Sequence, residues 1–304
     1  MSSPIQCEHL SKKFRRVPAV SDLNLEVPEG SIYGLVGPNG AGKTTLIKML
    51  MNILQPTSGR AAVLGVDSRH LSPREMTAIG YVSENQDLPE WMTVSYFLKY
   101  LKPFYPTWDD ALAQDLVRQF DLPADRKLRH LSRGMRMKAA LASALAYRPP
   151  LIILDEPFSG LDPLVRDEFS EGLLERAAGA TVLISSHDLA EIESFASHIG
   201  YIDRGQMQFS EEMNALADRF REVEITLAAP AAMPCPWPES WQRPETSPVL
   251  IRFVETRFNP EHTSGEIARV FPDAKDVSLR AMPLRDIFIA MARTQRQHAG
   301  KEHA

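Results

Sequence analysis

Gly37-Pro38-Asn39-Gly40-Ala41-Gly42-Lys43-Thr44-Thr45 fits the pattern G-x-x-x-x-G-K-[ST]. In such a loop the backbone N–H groups curl around phosphate oxygens and the lysine reaches the terminal ones. The flanks agree with that reading. Ser31-Ile-Tyr-Gly-Leu-Val36 is an apolar, strand-like run, and Thr45-Leu-Ile-Lys-Met-Leu-Met51 has a helical pattern. Strand, glycine loop and helix start together aim the positive end of a helix dipole at an anion.

Working outward, strands and helices alternate. Ile5–Leu10 and Asp22–Val27 alternate apolar and polar residues as paired strands do. Arg60–Gly65 and Ala78–Val82 read as further strands. Leu151–Leu154 and Thr181–Ser185 are wholly apolar or nearly so, as expected of strands buried on both faces of a parallel sheet. Helical patterns cover Val94–Leu101, Trp108–Phe120 and Met135–Ala146, with Pro103, Pro106 and Pro123 between them. The region of about 87–147 thus reads as a helical lobe inserted in an α/β core. Further helices are expected over Val165–Ala178 and Asp188–Phe195, and a hairpin over Ile199–Phe209. Beyond Arg219 the composition shifts. Val223–Leu227 and Val249–Glu255 read as strands, and Pro230–Pro248 as a stiff, irregular connector. Ser264–Phe271 and Pro283–Ala292 read as helices, with Val277–Leu279 between them, and Thr294–Ala304 as a polar, frayed end. The expected domains are 1–218 and a smaller α/β appendix, 219–304.

The bulk numbers exclude more than they assign. A net charge of −5 over 304 residues gives no global reason to expect a nucleic-acid partner. The two cysteines, Cys7 and Cys235, are too few and too far apart for a disulfide framework, which fits a reducing, cytoplasmic setting. No apolar run reaches the ~18 residues of a membrane span, and the first residues lack the basic and apolar regions of a signal peptide. Work at a membrane would need another chain to supply the membrane part.

Several stretches add chemistry to the loop. Asp155-Glu156 follows a buried strand; the first carboxylate can hold Mg²⁺ and the second can polarise an attacking water. Ser132 and Gly134, in Leu131-Ser-Arg-Gly-Met135, can offer a hydroxyl and free amides to an anion, or can simply cap the helix behind them. Ser159-Gly-Leu-Asp162 forms a short turn after the acids. His187 ends the strand at Ser185, on the side where open α/β sheets bind ligands. Phe14, in Lys12-Lys-Phe-Arg-Arg16, reads from its own segment as a half-buried hairpin residue, although an aromatic there could stack on a base.

With these motifs in this order, residues from about Pro4 to Phe209 resemble the nucleotide-binding subunit of an ABC transporter, similar to the YtrB-like and bacitracin-export ATPases of bacterial exporters. The resemblance implies a P-loop NTPase fold of the ABC type. It implies that Lys43 and the loop residues Gly37, Pro38, Asn39, Gly40, Ala41 and Gly42 form the phosphate loop for ATP. Thr44 and Asp155 would hold Mg²⁺ and Thr45 would contact the α-phosphate. Glu156 would be the general base, with His187 at the γ-phosphate and Phe14 stacked on adenine. Ser132 and Gly134 would contact the γ-phosphate held by a second ABC subunit, in a homodimer or related heterodimer. The other implied partner is a transmembrane permease, which would place the chain on the inner face of the cell membrane. The segment Asp87–Pro106, with Leu88, Trp91, Met92, Tyr96 and Phe97, would dock on it.

Three positions, in two places, depart from that pattern. Glu84 stands where the family has a glutamine and is a further candidate metal ligand. Arg133 and Met135 replace the glycine and glutamine of the signature loop. A different function, as an ABC ATPase acting on DNA or ribosomes, would call for two cassettes or a long coiled coil. The sequence has one lysine-bearing glycine loop and no sustained heptads.

Overall fold

A computed structural model describes residues 3–177, 179–229 and 237–291. β1 (Ile5–Phe14) and β2 (Val17–Val27) pair antiparallel, their side chains alternating between core and solvent. β3 (Ile32–Val36) is buried along almost its whole length and runs into the glycine loop, which opens α1 (Lys43–Leu50). Leu46, Ile47, Met49 and Leu50 face the core, and Asn52, at φ 56°, takes the left-handed turn that stops the helix. β4 (Ser58–Val63) and β5 (Val66–Asp67) complete an antiparallel sheet of order β2-β1-β4-β5. α2 (Pro73–Met76) is a single turn held by a capping box between Ser72 and Glu75.

β6 (Ile79–Ser83) leads into the helical lobe of α3 (Val94–Leu101), α4 (Asp110–Gln119) and α5 (Arg133–Leu145). Each of these helices starts on a side-chain cap, Thr93, Asp109 and Ser132 respectively. β7 (Leu151–Asp155), α6 (Pro163–Arg176), β8 (Thr181–Ser186), β9 (His198–Asp203) and β10 (Gln206–Glu212) follow. They build a six-stranded sheet, β10-β9-β3-β8-β7-β6, whose five strands from β9 to β6 are parallel. α1 lies in a core shared by both sheets, where Leu46 and Ile47 join Ile5 and Leu10 on one side and Leu151 and Leu183 on the other. The glycine loop, β7 and β8 therefore end at one edge, which is why their terminal residues meet.

The chain divides into two compact units after Ser210, so the boundary expected after 218 falls inside α7 (Met213–Arg219), a helix the sequence pattern had not marked. The second unit holds β11 (Arg221–Leu227), β12 (Trp241–Ser247), β13 (Leu250–Glu255), α8 (Pro260–Val270) and β14 (Ala274–Ala281). Its sheet is antiparallel, of order β12-β13-β11-β14, and a helix occupies 284–291. Trp241, Phe253 and Phe271 fill its core together with Val223, Ile225 and Ile267.

Two expectations fail here for identifiable reasons. The connector expected over Pro230–Pro248 is in part a strand, because β12 is an edge strand and Pro244 sits at a register shift between Gln242 and Glu245. An edge strand with a bulge tolerates a residue that cannot donate to the ladder. The helix expected over Asp188–Phe195 is a 3₁₀ turn, Leu189–Glu191, followed by irregular turns. There Asp188 accepts from the Ala190 amide and Ser186 Oγ from the Asp188 amide, so side chains capture backbone groups a helix would need. Residues 230–236 and the frayed end expected from 294 lie outside the described residues. No described helix is long and apolar enough to cross a membrane.

Candidate functional site

The site forms where the parallel strands end. α1 has no side-chain cap; its N-cap is Gly42, at φ 110°, so the first amides of the helix point into open space. Any side chain at 42 would be strained, and its Cβ would lie 2.5 Å from the Ala19 carbonyl oxygen. A cleft of about 470 Å³ opens here, lined by Asn39 to Thr45, Glu84, Glu156, Ser159 and His187.

Lys43 is buried and its ammonium turns back into the loop. It donates to the carbonyls of Gly37 (2.6 Å) and Pro38 (3.2 Å), and lies 3.0 Å from Glu156 Oε1. The other oxygen of Glu156 lies 2.7 Å from His187 Nδ1. Glu156 has φ 52°, uncommon for a side chain of its size. Strain of this kind persists where the surroundings over-determine it, as at functional sites. Its amide donates to Ser185 Oγ (3.0 Å) and its carbonyl accepts from the Ser159 amide (3.2 Å), which fixes the turn.

Asp155, the last residue of β7, is buried. Its Oδ1 accepts from Thr44 (3.0 Å) and Ser185 (2.8 Å). Burial holds its carboxyl above the ordinary carboxylate range, against the pull of those hydroxyls. The His187 imidazole is shifted upward as well, chiefly by its hydrogen bond to Glu156, with charge from Glu156 and Glu191 adding to it. Ligand atoms of Glu156, His187 and Glu191 lie within 4.8 Å of one another, so the imidazole is close to both carboxylates. Glu191 is buried, bonds Ser186 Oγ, and pairs with Arg166 of α6 at 3.4 Å.

The structure thus brings together Lys43, Thr44, Asp155, Glu156 and His187. Ser132 and Gly134 are not in this cleft. Ser132 caps α5 by accepting from the Met135 amide (3.2 Å), and a Cβ on Gly134 would meet Val165 of α6 at 2.7 Å, so that glycine has a packing reason of its own. Phe14 is exposed at the tip of the β1–β2 hairpin, with the Lys12 ammonium 5.3 Å from its ring centre; Ala19 lines the cleft instead. Glu84 does line the cleft, but its Oε1 is taken by Ser159 Oγ (2.9 Å) and by Arg133. Sequence reasoning gave no role to Ser185, Arg166 or Glu191. Only the hydroxyl of Ser185 at a strand end hinted at one.

The chain is matched by known proteins. The ABC transporter family model matches residues 20–159. Over 314 aligned residues the chain is 30% identical to the daunorubicin resistance ATP-binding protein DrrA2 of Streptomyces coeruleorubidus, with 94% of each chain covered. The chain belongs to the ABC transporter ATP-binding proteins. It is also 36% identical, over 66% of its length, to an uncharacterized ABC transporter ATP-binding protein of a Nostoc species, and spans 62% of that relative. A solved ATP-binding subunit of an ABC transporter superposes with a TM-score of 0.65 at 27% identity, covering 71% of this chain and 92% of the other. The first unit is therefore an ABC-type P-loop cassette that binds ATP.

Proposed function

We propose that this chain is the ATP-hydrolysing subunit of an ABC transporter and drives a separate transmembrane permease in the export direction. The observation that carries the reading is the convergence of Lys43, Glu156 and His187 at the mouth of a helix with free N-terminal amides. Lys43, with the amides from Asn39 to Thr45, binds the β- and γ-phosphates. Glu156 takes the proton of the attacking water, and His187 orients the γ-phosphate.

Thr44 and Asp155 offer two hard oxygen donors in hydrogen-bond contact, one of them a buried carboxylate, a set that fits Mg²⁺. When bound, the ion would neutralise charge developing on the transferred phosphoryl group. Ser185 holds the Asp155 carboxylate in place for it. Glu84 contributes to the wall of the cleft with one oxygen already committed.

Ser132 and Gly134 lie outside the chain's own cleft, so on this reading they serve the nucleotide of a second ABC subunit. Closure of two cassettes then completes both sites. Phe14 stacks on adenine after turning from the position it has here. The exposed Trp91 and Tyr96, whose ring centres are 5.7 Å apart, belong to the segment that docks on the permease. The chain is then peripheral to the inner face of the cell membrane. The export direction rests on the likeness to DrrA2.

The test is ATP turnover by the purified chain, alone and co-expressed with candidate permeases. We expect Mg²⁺-dependent hydrolysis and co-purification with a multi-helix membrane protein. ATP binding without turnover under any condition would overturn the catalytic reading, and co-purification with ribosomes or DNA would overturn transport.

A further inference from the structure

Glu84 and Arg133 are two of the positions where the sequence departs from the family pattern, and they bond to each other. They are 49 residues apart in sequence. Glu84 follows β6, and its amide donates to the Asp155 carbonyl (3.0 Å), so it is anchored on the strand that carries the acids. Arg133 is the first residue of α5. Its guanidinium donates to Glu84 Oε1 and lies across the backbone of Gly160, where a Cβ would stand 2.7 Å from Nη1. Gly160, at φ 66°, leaves that space open. Ser159 Oγ donates to the same carboxylate oxygen at 2.9 Å.

The position of the pair gives it a consequence for nucleotide. Glu84 lines the phosphate cleft with Lys43 and Thr44, whereas Arg133 lines the adjoining groove. A carboxylate in that wall repels a triphosphate unless something cancels its charge. Glutamine, the family residue, needs no cancellation, and glycine at 133 could not supply any. The Glu84 carboxylate is costly alone and neutral in company with Arg133.

We propose that Arg133 is a positioning residue that holds Glu84 and cancels its charge at the wall of the ATP cleft, and so sets the chain's affinity for nucleoside triphosphate. The two side chains are 47% and 29% exposed, so the effect is bounded. A partly exposed charge contributes a factor of about five at most to an equilibrium, and salt screens it. An exposed ion pair serving only as a brace between loops would leave ATP affinity, and its salt dependence, unchanged.

The inference rests on the ATP site proposed above but not on hydrolysis. The experiment measures ATP affinity of the full chain with divalent metal chelated, at low and high salt, for wild type, Arg133→Gly, Arg133→Lys, Glu84→Gln and the Glu84→Gln/Arg133→Gly double variant. Arg133→Gly is expected to weaken ATP binding about fivefold at low salt, a loss that shrinks at high salt. Arg133→Lys and Glu84→Gln should stay within about twofold of wild type, and the double variant should recover wild-type affinity. Equal weakening in Arg133→Gly and the double variant, or no weakening in either, overturns the proposal. Circular dichroism checks folding, and Arg133→Gln replaces Arg133→Gly if the glycine unfolds α5. A wild-type chain that binds ATP without hydrolysing it overturns the catalytic reading only, and leaves this comparison intact.

Discussion

Lys43 Nζ and Glu156 Oε1 are 3.0 Å apart, and both side chains are almost wholly buried. The cation proposed to bind phosphate and the carboxylate proposed as base therefore neutralise each other. Each is occupied with the other, and the γ-phosphate must separate them. Glu156→Gln should leave ATP binding intact or tighten it, since Lys43 is then released from its ion partner. Turnover should fall by about 10²–10⁴, the usual contribution of a positioned base, and a closed dimer should accumulate with ATP. Size-exclusion chromatography and a phosphate-release assay read both. Turnover near the wild-type rate would remove Glu156 from the role of base.

The His187–Glu156 contact has a pH signature. The folded-state pKa of His187 is raised, first by its hydrogen bond to Glu156. A histidine whose folded pKa exceeds its unfolded value of about 6.5 contributes stability that is fully present below that value. The contribution disappears as pH rises through the higher folded pKa. Melting of the chain should therefore lose a component as pH rises above about 6.5 that His187→Ala lacks. Because the imidazole is partly exposed the component is small, and high salt reduces it. Parallel melting curves for wild type and His187→Ala across that rise would show that the ion pair contributes nothing.

The charge of Asp155, unlike that of His187, costs stability. Its carboxyl is held above the ordinary range by burial, so in the nucleotide-free chain its charge is a cost that grows as pH rises through the folded value. Asn keeps an acceptor for Thr44 and Ser185 and removes that charge. Asp155→Asn should raise the melting temperature at neutral pH by about 2–4 °C, the shift that ~1 kcal/mol produces in a domain of this size. It should also abolish any gain in ATP affinity on adding Mg²⁺, while binding in chelator stays near wild type. A variant that melts lower and still shows the Mg²⁺ effect would rule out Asp155 as a metal holder.

What could be read from the sequence divides along physical lines. Gly37–Thr45, Leu151–Glu156 and Ser185–His187 were legible because each joins a local pattern to a strand end, and a parallel sheet brings its strand ends to one edge. Pairings between distant segments were not. Glu84 and Arg133 are separate departures in the sequence, and nothing local says that they pair. Ser185 holds both Asp155 and the Glu156 amide, but a serine closing a strand has no distinguishing pattern. Pro244 misled because proline excludes a central strand and not an edge strand. Asp188–Phe195 misled because its apolar spacing suits a helix while Ser186 and Asp188 compete for the backbone.

The second unit offers a test of stability rather than catalysis. Glu255 is buried at the end of β13. Its carboxylate accepts from Trp241 Nε1 (2.8 Å), Ser240 Oγ (3.3 Å) and the Arg257 amide (2.7 Å). Trp241 in turn stacks on Phe253 with ring centres 4.2 Å apart, so the hydrogen bond fixes the largest side chain of this core. Glu255→Ala leaves three donors without their acceptor and opens a cavity beside the indole. A buried donor without a partner costs about 1–3 kcal/mol, and the three here share one site, so we expect a total of about 3–5 kcal/mol. Glu255→Gln keeps one acceptor oxygen and should lose less than half of that. Chemical denaturation followed by tryptophan fluorescence measures the difference, because Trp237 and Trp241 both lie in this unit. ATP binding by the first unit should be unchanged in the same sample. Equal stability of Glu255→Ala and wild type would mean that water replaces the carboxylate at no cost.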